Sequence, residues 1–177
     1  MKSVMLSIRP EWCDLIIQHK KTVELRKTRP NLQTPFKVYI WCTKARKFGA
    51  RIHGNVWQQM DERVIGEFIC DDISLLIHVG EMGSGKPPEL CAVTPSYMPR
   101  SPENLLKAAC LYRSAAENYL KGRDGYCWHI SELKIYDEPL ALRSFTGLQK
   151  TRFGMRPVEI TRPPQSWFYV REMEKQK

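Results

Sequence analysis

Apolar and polar positions along this chain alternate in several short blocks, and the blocks change period more than once. Val4 to Ile8 (VMLSI) is a short apolar run with one serine, which predicts a strand. Pro10 follows, suited to the first turn of a helix. Trp12, Leu15, Ile16 and His19 then recur at helical spacing, so Pro10 to about His19 predicts one short amphipathic helix. Thr22 to Arg26 (TVELR) alternates strictly, the mark of a half-buried strand. Val23 and Leu25 would face the core, and Thr22, Glu24 and Arg26 would share the other face.

Further strands are predicted at Phe36–Cys42 (FKVYIWC) and Arg63–Cys70 (RVIGEFIC), the second running on through Leu75–Ile77. Tyr126–Ile135 and Trp167–Arg171 read as the last two. Gly80 to Pro99 is rich in Gly and Pro and without period, which predicts a long loop, either a lid or a disordered excursion. Its GSGK is a poor phosphate-loop match, because Pro87 stands where a Ser or Thr is needed. Ser101-Pro102-Glu103 opens a helix that continues through Leu105, Leu106, Ala109, Tyr112, Ala116 and Leu120 and ends at Gly122. Arg143 to Pro164 is polar and reads as a surface connection. Five or six short strands with two irregularly placed helices predict a mixed, mostly antiparallel barrel or α+β fold rather than a doubly wound sheet, in one domain spanning 1–177 with a helical insertion at about 79–124.

Charge changes this picture most. Of 28 Lys and Arg, ten lie between Lys20 and Arg51 (20, 21, 26, 27, 29, 37, 44, 46, 47, 51), with Glu24 the one acid, so that block carries +9. The remaining eighteen bases and eighteen acids cancel. A field so concentrated favours an anionic partner, nucleic acid or a nucleotide first; a solvated face serving only solubility is the alternative. Six cysteines (13, 42, 70, 91, 110, 127) show no close-spaced pair, and the histidines at 19, 53, 78 and 129 have no metal-ligand spacing, so neither metal nor cofactor is expected. Cys42, Cys70 and Cys127 sit in apolar runs and read as small buried hydrophobes. No apolar run is long enough to span a bilayer, and the start lacks a signal-peptide pattern, so a cytoplasmic setting and no membrane partner are expected.

The run LIIQHKKTVELR resembles the helix-to-strand signature of ASCH domains, members of the PUA-like superfamily. The family pattern is roughly Gly-x-Lys-x-x-Glu-x-Arg; Lys21, Glu24 and Arg26 match it, and His19 stands in the glycine position. The order of elements agrees, and YCWHISELKIYDEP is similar to the family's closing region. The resemblance implies a small curved β-barrel with flanking helices, a cleft beside the motif, and RNA or nucleoside-type ligands.

The residues themselves fit that role. Lys21 can place an ammonium at a helix-to-strand turn, and Glu24 with Arg26 offers an acceptor and a forked donor on one side of a strand. The bland alternative is that Glu24 simply pairs with Arg26 on a solvated face. Thr22, Arg9, Trp41 and Lys44 are the other candidate ligand contacts, Trp41 as a stacking surface or as core. Three functions stay open: an RNA- or nucleotide-binding module, a hydrolase, or a protein-interaction adaptor. Some ASCH proteins are amidohydrolases on acetylated cytidine, using Lys, Thr and Glu. Lys21 matches their lysine, Glu24 stands where their threonine falls, Thr22 lies nearby, and Glu117 is the candidate for their glutamate. If this chain is an enzyme, Lys21 and Glu24 are its catalytic candidates. Others are ribonucleases using Tyr, Lys and Ser, roles for which Tyr39, Lys44 and Ser131 are available.

Overall fold

The computed structural model describes residues 1–44, 61–80, 88–93 and 99–173. The chain divides into two compact units, each built on its own sheet. The first comprises Met1–Gln18, Phe36–Ile69 and Glu132–Lys177. The second comprises His19–Pro35 and Cys70–Ser131.

The first unit opens with β1 (Lys2–Ile8) and α1 (Pro10–Ile17). Val4, Met5 and Leu6 have no exposed surface, as the uninterrupted apolar run requires of a central strand. Pro10 starts α1, whose buried side is Pro10, Cys13 and Ile16. β3 (Phe36–Cys42) lies parallel to β1, with Val4 beside Val38 and Ile8 beside Cys42. β12 (Trp167–Arg171) covers the other side of β1 antiparallel. β4 (Arg63–Cys70), β9 (Ser131–Leu140), β10 (Thr146–Thr151) and β11 (Gly154–Glu159) complete seven strands in the order β11-β10-β12-β1-β3-β4-β9. The core includes Met5, Tyr39, Trp41, Val64, Phe145, Ile160 and Val170, and the Tyr39 and Phe145 rings meet edge to face at 4.9 Å.

The second unit is an antiparallel sheet in the order β2-β8-β5-β6-β7. These are β2 (Val23–Arg26), β5 (Ile73–Val79), β6 (Glu89–Val93), β7 (Pro99–Arg100) and β8 (Gly125–His129). α2 (Glu103–Ala108) and α3 (Arg113–Leu120) supply Leu106, Ala116 and Leu120 to a core shared with Val23, Leu25, Leu76, Leu90 and Cys127. The fold is therefore α+β, mixed and mostly antiparallel, and among the described residues each sheet is ordered as an open array.

Several elements differ from expectation, each for a local reason. The helix expected over 101–122 is two, because Cys110 turns left-handed (φ 55) between α2 and α3. A left-handed residue is usually Gly or Asn, and a cysteine gives no warning of it. The strand expected at Tyr126–Ile135 is β8 and β9 in different sheets, with Glu132 at φ 46 just past the start of β9. β5 is a separate strand rather than a continuation of β4. Within Gly80–Pro99 the described residues include β6 and the start of β7; GSGK lies outside the described residues. Arg143–Pro164 holds the β10–β11 hairpin, whose polar alternation was too weak to stand out from a loop.

Candidate functional site

The local fold explains the motif's spacing. Gln18 closes α1, and His19 takes φ 55, the left-handed conformation that glycine adopts without strain. That accounts for a glycine in the signature at this position. The chain then enters β2, which alternates as expected: Val23 and Leu25 point into the core. On the opposite side Glu24 pairs in register with Trp128, which is wholly buried.

Lys21, Glu24 and Arg26 converge. Lys21 Nζ lies 3.1 Å from Glu24 Oε2, and Arg26 Nη2 lies 2.9 Å from Glu24 Oε1, so one carboxylate is clamped between two cations. Their side chains are 2%, 8% and 12% exposed respectively. Lys21 Nζ also donates to Ala109 O at 2.7 Å, and the Thr22 N–H donates to Ala108 O at 2.9 Å. These acceptors are carbonyls at the C-terminal end of α2, where orphan carbonyls and the helix dipole favour a cation. The motif lysine thus ties β2 to the end of α2. Cys110 Sγ adds a contact to Lys20 O at 3.3 Å. The cluster carries a net charge of one positive unit, shielded from water. Nearby Cys127 is buried, and burial pushes its thiol up to about 12, with Lys21 pulling the other way. It stays a neutral thiol.

Thr22 is exposed, its backbone held on both sides by Ala108 and Ile130. Arg9, Trp41 and Lys44 belong to the first unit. Arg9 is 76% exposed and pairs loosely with Glu11 at 3.9 Å, and Lys44 is exposed. Trp41 is 4% exposed and packed in the core, so its ring is a structural one rather than an open stacking surface. Tyr39 is likewise buried, its hydroxyl accepting the Met173 N–H at 3.0 Å. Glu117 lies exposed on α3. Of the other bases in the Lys20–Arg51 block, Lys37 is held between Glu67 (3.4 Å) and Glu172 (3.2 Å). Lys27 lies 4.9 Å from the Tyr119 ring centroid. Arg46, Lys47, Arg51 and His53 fall outside the described residues. Among the described residues no cluster of three or more potential metal ligands occurs, and no helix is long and apolar enough to cross a membrane.

Sequence reasoning missed the main-chain half of this site. The carbonyls of Ala108 and Ala109 carry no residue-type signal. It also missed the pairing of Ser74 Oγ with His129 Nε2 at 2.8 Å on neighbouring strands. Asp72 Oδ2 approaches that same ring nitrogen at 3.9 Å, so the group lacks the orientation through the second nitrogen that a hydrolytic triad needs.

The class so defined is an α+β protein with a buried lysine–glutamate–arginine cluster where a helix hands over to a strand. Solved structures place that fold. The chain is similar to the crystal structure of ASCH from Zymomonas mobilis, with TM-score 0.52 and 17% identity over 96% of this chain and 88% of that one. It is equally similar to a tyrosine-to-phenylalanine variant of the same protein, with TM-score 0.51 and 17% identity over 97% and 92%. No protein-family model matches the sequence, and no curated protein matches it. The chain has the ASCH fold.

Proposed function

We propose that this chain is a single ASCH-type, PUA-like domain that binds RNA or a nucleotide beside its Lys21–Glu24–Arg26 cluster. The barrel of the PUA-like class is the architecture this reading expects. The observation that supports it is the burial of three charges where sheet stability asks for none. Replacing a buried ion cluster with apolar residues is often neutral or stabilising, so such a cluster is weak evidence for stability and better evidence for a position that must be fixed. Here it fixes the start of β2, which presents the exposed Thr22 and is flanked by the exposed cations Lys20 and Arg29. In this reading Lys20, Thr22 and Arg29 touch the ligand, and Lys21, Glu24 and Arg26 hold the geometry.

The test is fluorescence anisotropy with a twelve-nucleotide uridine RNA across 50–200 mM salt. Each phosphate contact in a single strand contributes about 0.7 to the log–log slope. Lys20→Ala with Arg29→Ala should lower the slope by about 1.4 on that basis and leave the melting temperature unchanged. Absence of binding by the unmodified protein at the lowest salt, or a slope unaltered by the double substitution, rejects the reading.

A further inference from the structure

We infer that the β10–β11 hairpin of the first unit is a second nucleic-acid contact, with phosphates on its outer arm and a base in the adjoining cavity; this rests on the RNA-binding reading above. Between Glu138 and Glu172 the chain holds Arg143, Lys150, Arg152, Arg156, Arg162 and Arg171 against Glu159 alone, a local excess of five positive charges. The excess vanishes in the whole-chain sum because acids elsewhere cancel it. The hairpin gives it a shape. Thr146 pairs with Glu159 and Thr151 with Gly154, so Lys150, Arg152 and Arg156 all lie on the arm or its tip.

At the tip Phe153 is 85% exposed. The Arg152 guanidinium sits 4.4 Å from its centroid, which occupies one face and leaves the ring largely open to solvent. The turn is braced, since Thr151 Oγ1 donates to Gly154 O at 2.9 Å and accepts from the Phe153 N–H at 3.2 Å. A ring held open beside a cation is the pairing that single-stranded nucleic acid uses, stacking on the ring and charge contact with the backbone. An acidic peptide would use the cations and have no need of the ring.

Farther along the arm lies a cavity of about 360 Å³, lined among others by Gln149, Glu159, Arg162, Phe168 and Tyr169. That is within the range of roughly 300–1,000 Å³ of small-ligand sites. Gly147 forms part of the lining, and a Cβ there would come within 3.1 Å of Val158 and 3.2 Å of Ile160. Arg156 pairs with Gln149 across the hairpin, so it emerges on the cavity's face by strand alternation. Lys2 Nζ lies 4.4 Å from the Tyr169 ring centroid, a further cation at the aromatic wall. Gln149 provides an amide that can bond a base edge, the rings provide a stacking wall, and Arg162 can meet a phosphate. Gln149 and Thr151 are two strand residues apart, about 7 Å, and Phe153 lies beyond them in the turn, so tip and cavity would contact different nucleotides of one strand.

The experiment uses the full chain and the same uridine RNA, with poly-L-glutamate as a competitor. Phe153→Ala should weaken RNA binding about five-fold or more. Lys150→Ala with Arg152→Ala and Arg156→Ala should lower the salt slope by about 2. Arg63→Ala, an exposed cation on β4, should change neither. All these positions are exposed, so the melting temperature should hold. Binding by the unmodified protein that survives the hairpin substitutions overturns this inference and leaves the RNA reading standing. No binding by the unmodified protein overturns both. Poly-L-glutamate competing as well as RNA, with Phe153→Ala without effect, overturns it in favour of an acidic protein partner.

Discussion

Glu24→Gln isolates the central feature of the site. The substitution keeps the volume and removes one charge, leaving the Lys21 ammonium and the Arg26 guanidinium on either side of a neutral amide. Both cations are almost wholly buried, at 2% and 12% side-chain exposure, so water cannot replace the lost carboxylate. Removing one partner of a buried ion cluster typically costs about 3–5 kcal/mol. For a chain of this size each kcal/mol moves the melting temperature by about 2–4 °C, so the variant should melt about 6–20 °C lower.

Circular dichroism melts and urea titrations at 50 mM and 1 M KCl would measure it. Because the cluster is shielded, the cost should be nearly the same at both salts, whereas an exposed pair would lose its contribution to screening. Adding Lys21→Met to Glu24→Gln removes one of the two cations that face the new amide, and the double variant should fall short of additivity by about 1 kcal/mol or more. A cost below about 1 kcal/mol, the level of exposed ion pairs, or strict additivity of the two changes, would refute the claim that these charges form one buried unit.

Three other outcomes follow from the geometry. His19→Gly should stabilise by about 0.5–1 kcal/mol, since φ 55 is strained for a side chain and free for glycine; an unchanged or lower melting temperature contradicts this. Trp41→Ala should cost about 3–5 kcal/mol as a core truncation, and a variant of normal stability with impaired RNA binding would return Trp41 to the ligand. Stability should fall on the alkaline side. Burial raises the Cys70 and Cys127 thiols from 9.0 to about 12, and it also raises Tyr39 and Tyr136. Burial alone would lower Lys37, but the hydrogen bond to Glu172 and the charge of Glu67 override it and the net direction is up. In each case the folded chain keeps protons that the unfolded chain releases. The contribution is therefore complete below about pH 9 and is lost as pH rises through the folded values. A melting temperature that stays level to pH 11 would contradict it.

Strands dense in aromatic and branched apolar residues were legible: β3 and β12 fall where their runs begin and end, and β4 starts where its run starts but stops at Cys70 instead of running on into β5. So was the inward face of β2, because a two-residue period assigns Val23 and Leu25 to the core once the strand is accepted. The breaks were not. Cys110 and Glu132 take left-handed angles that their side chains do not advertise. The site divides the same way. Lys21, Glu24 and Arg26 were legible as charges at the right spacing, while their partners at Ala108 and Ala109 are main-chain atoms that come into reach only when α2 docks.

Charge counting along the chain misleads in both directions, and the reason is geometric. The Lys20–Arg51 block holds ten bases to one acid, yet folding spends much of that excess internally. Lys21 and Arg26 close on Glu24, Lys37 is held by two glutamates from β4 and the end of β12, and Lys27 turns to a tyrosine ring. Within the described part of the block, Lys20, Arg29 and Lys44 remain exposed. The β10–β11 segment does the reverse. Its arginines have almost no acids among their neighbours in sequence, and the hairpin places Lys150, Arg152 and Arg156 on an exposed arm. A polyanion senses the field at the surface rather than the sum over the sequence. The hairpin is therefore expected to contribute more to the salt dependence of binding than its share of the net charge. Comparing the slope lost by Lys150, Arg152 and Arg156 together with that lost by Lys20 and Arg29 measures the difference directly. A larger loss from Lys20 and Arg29 would return the electrostatic weight to the motif.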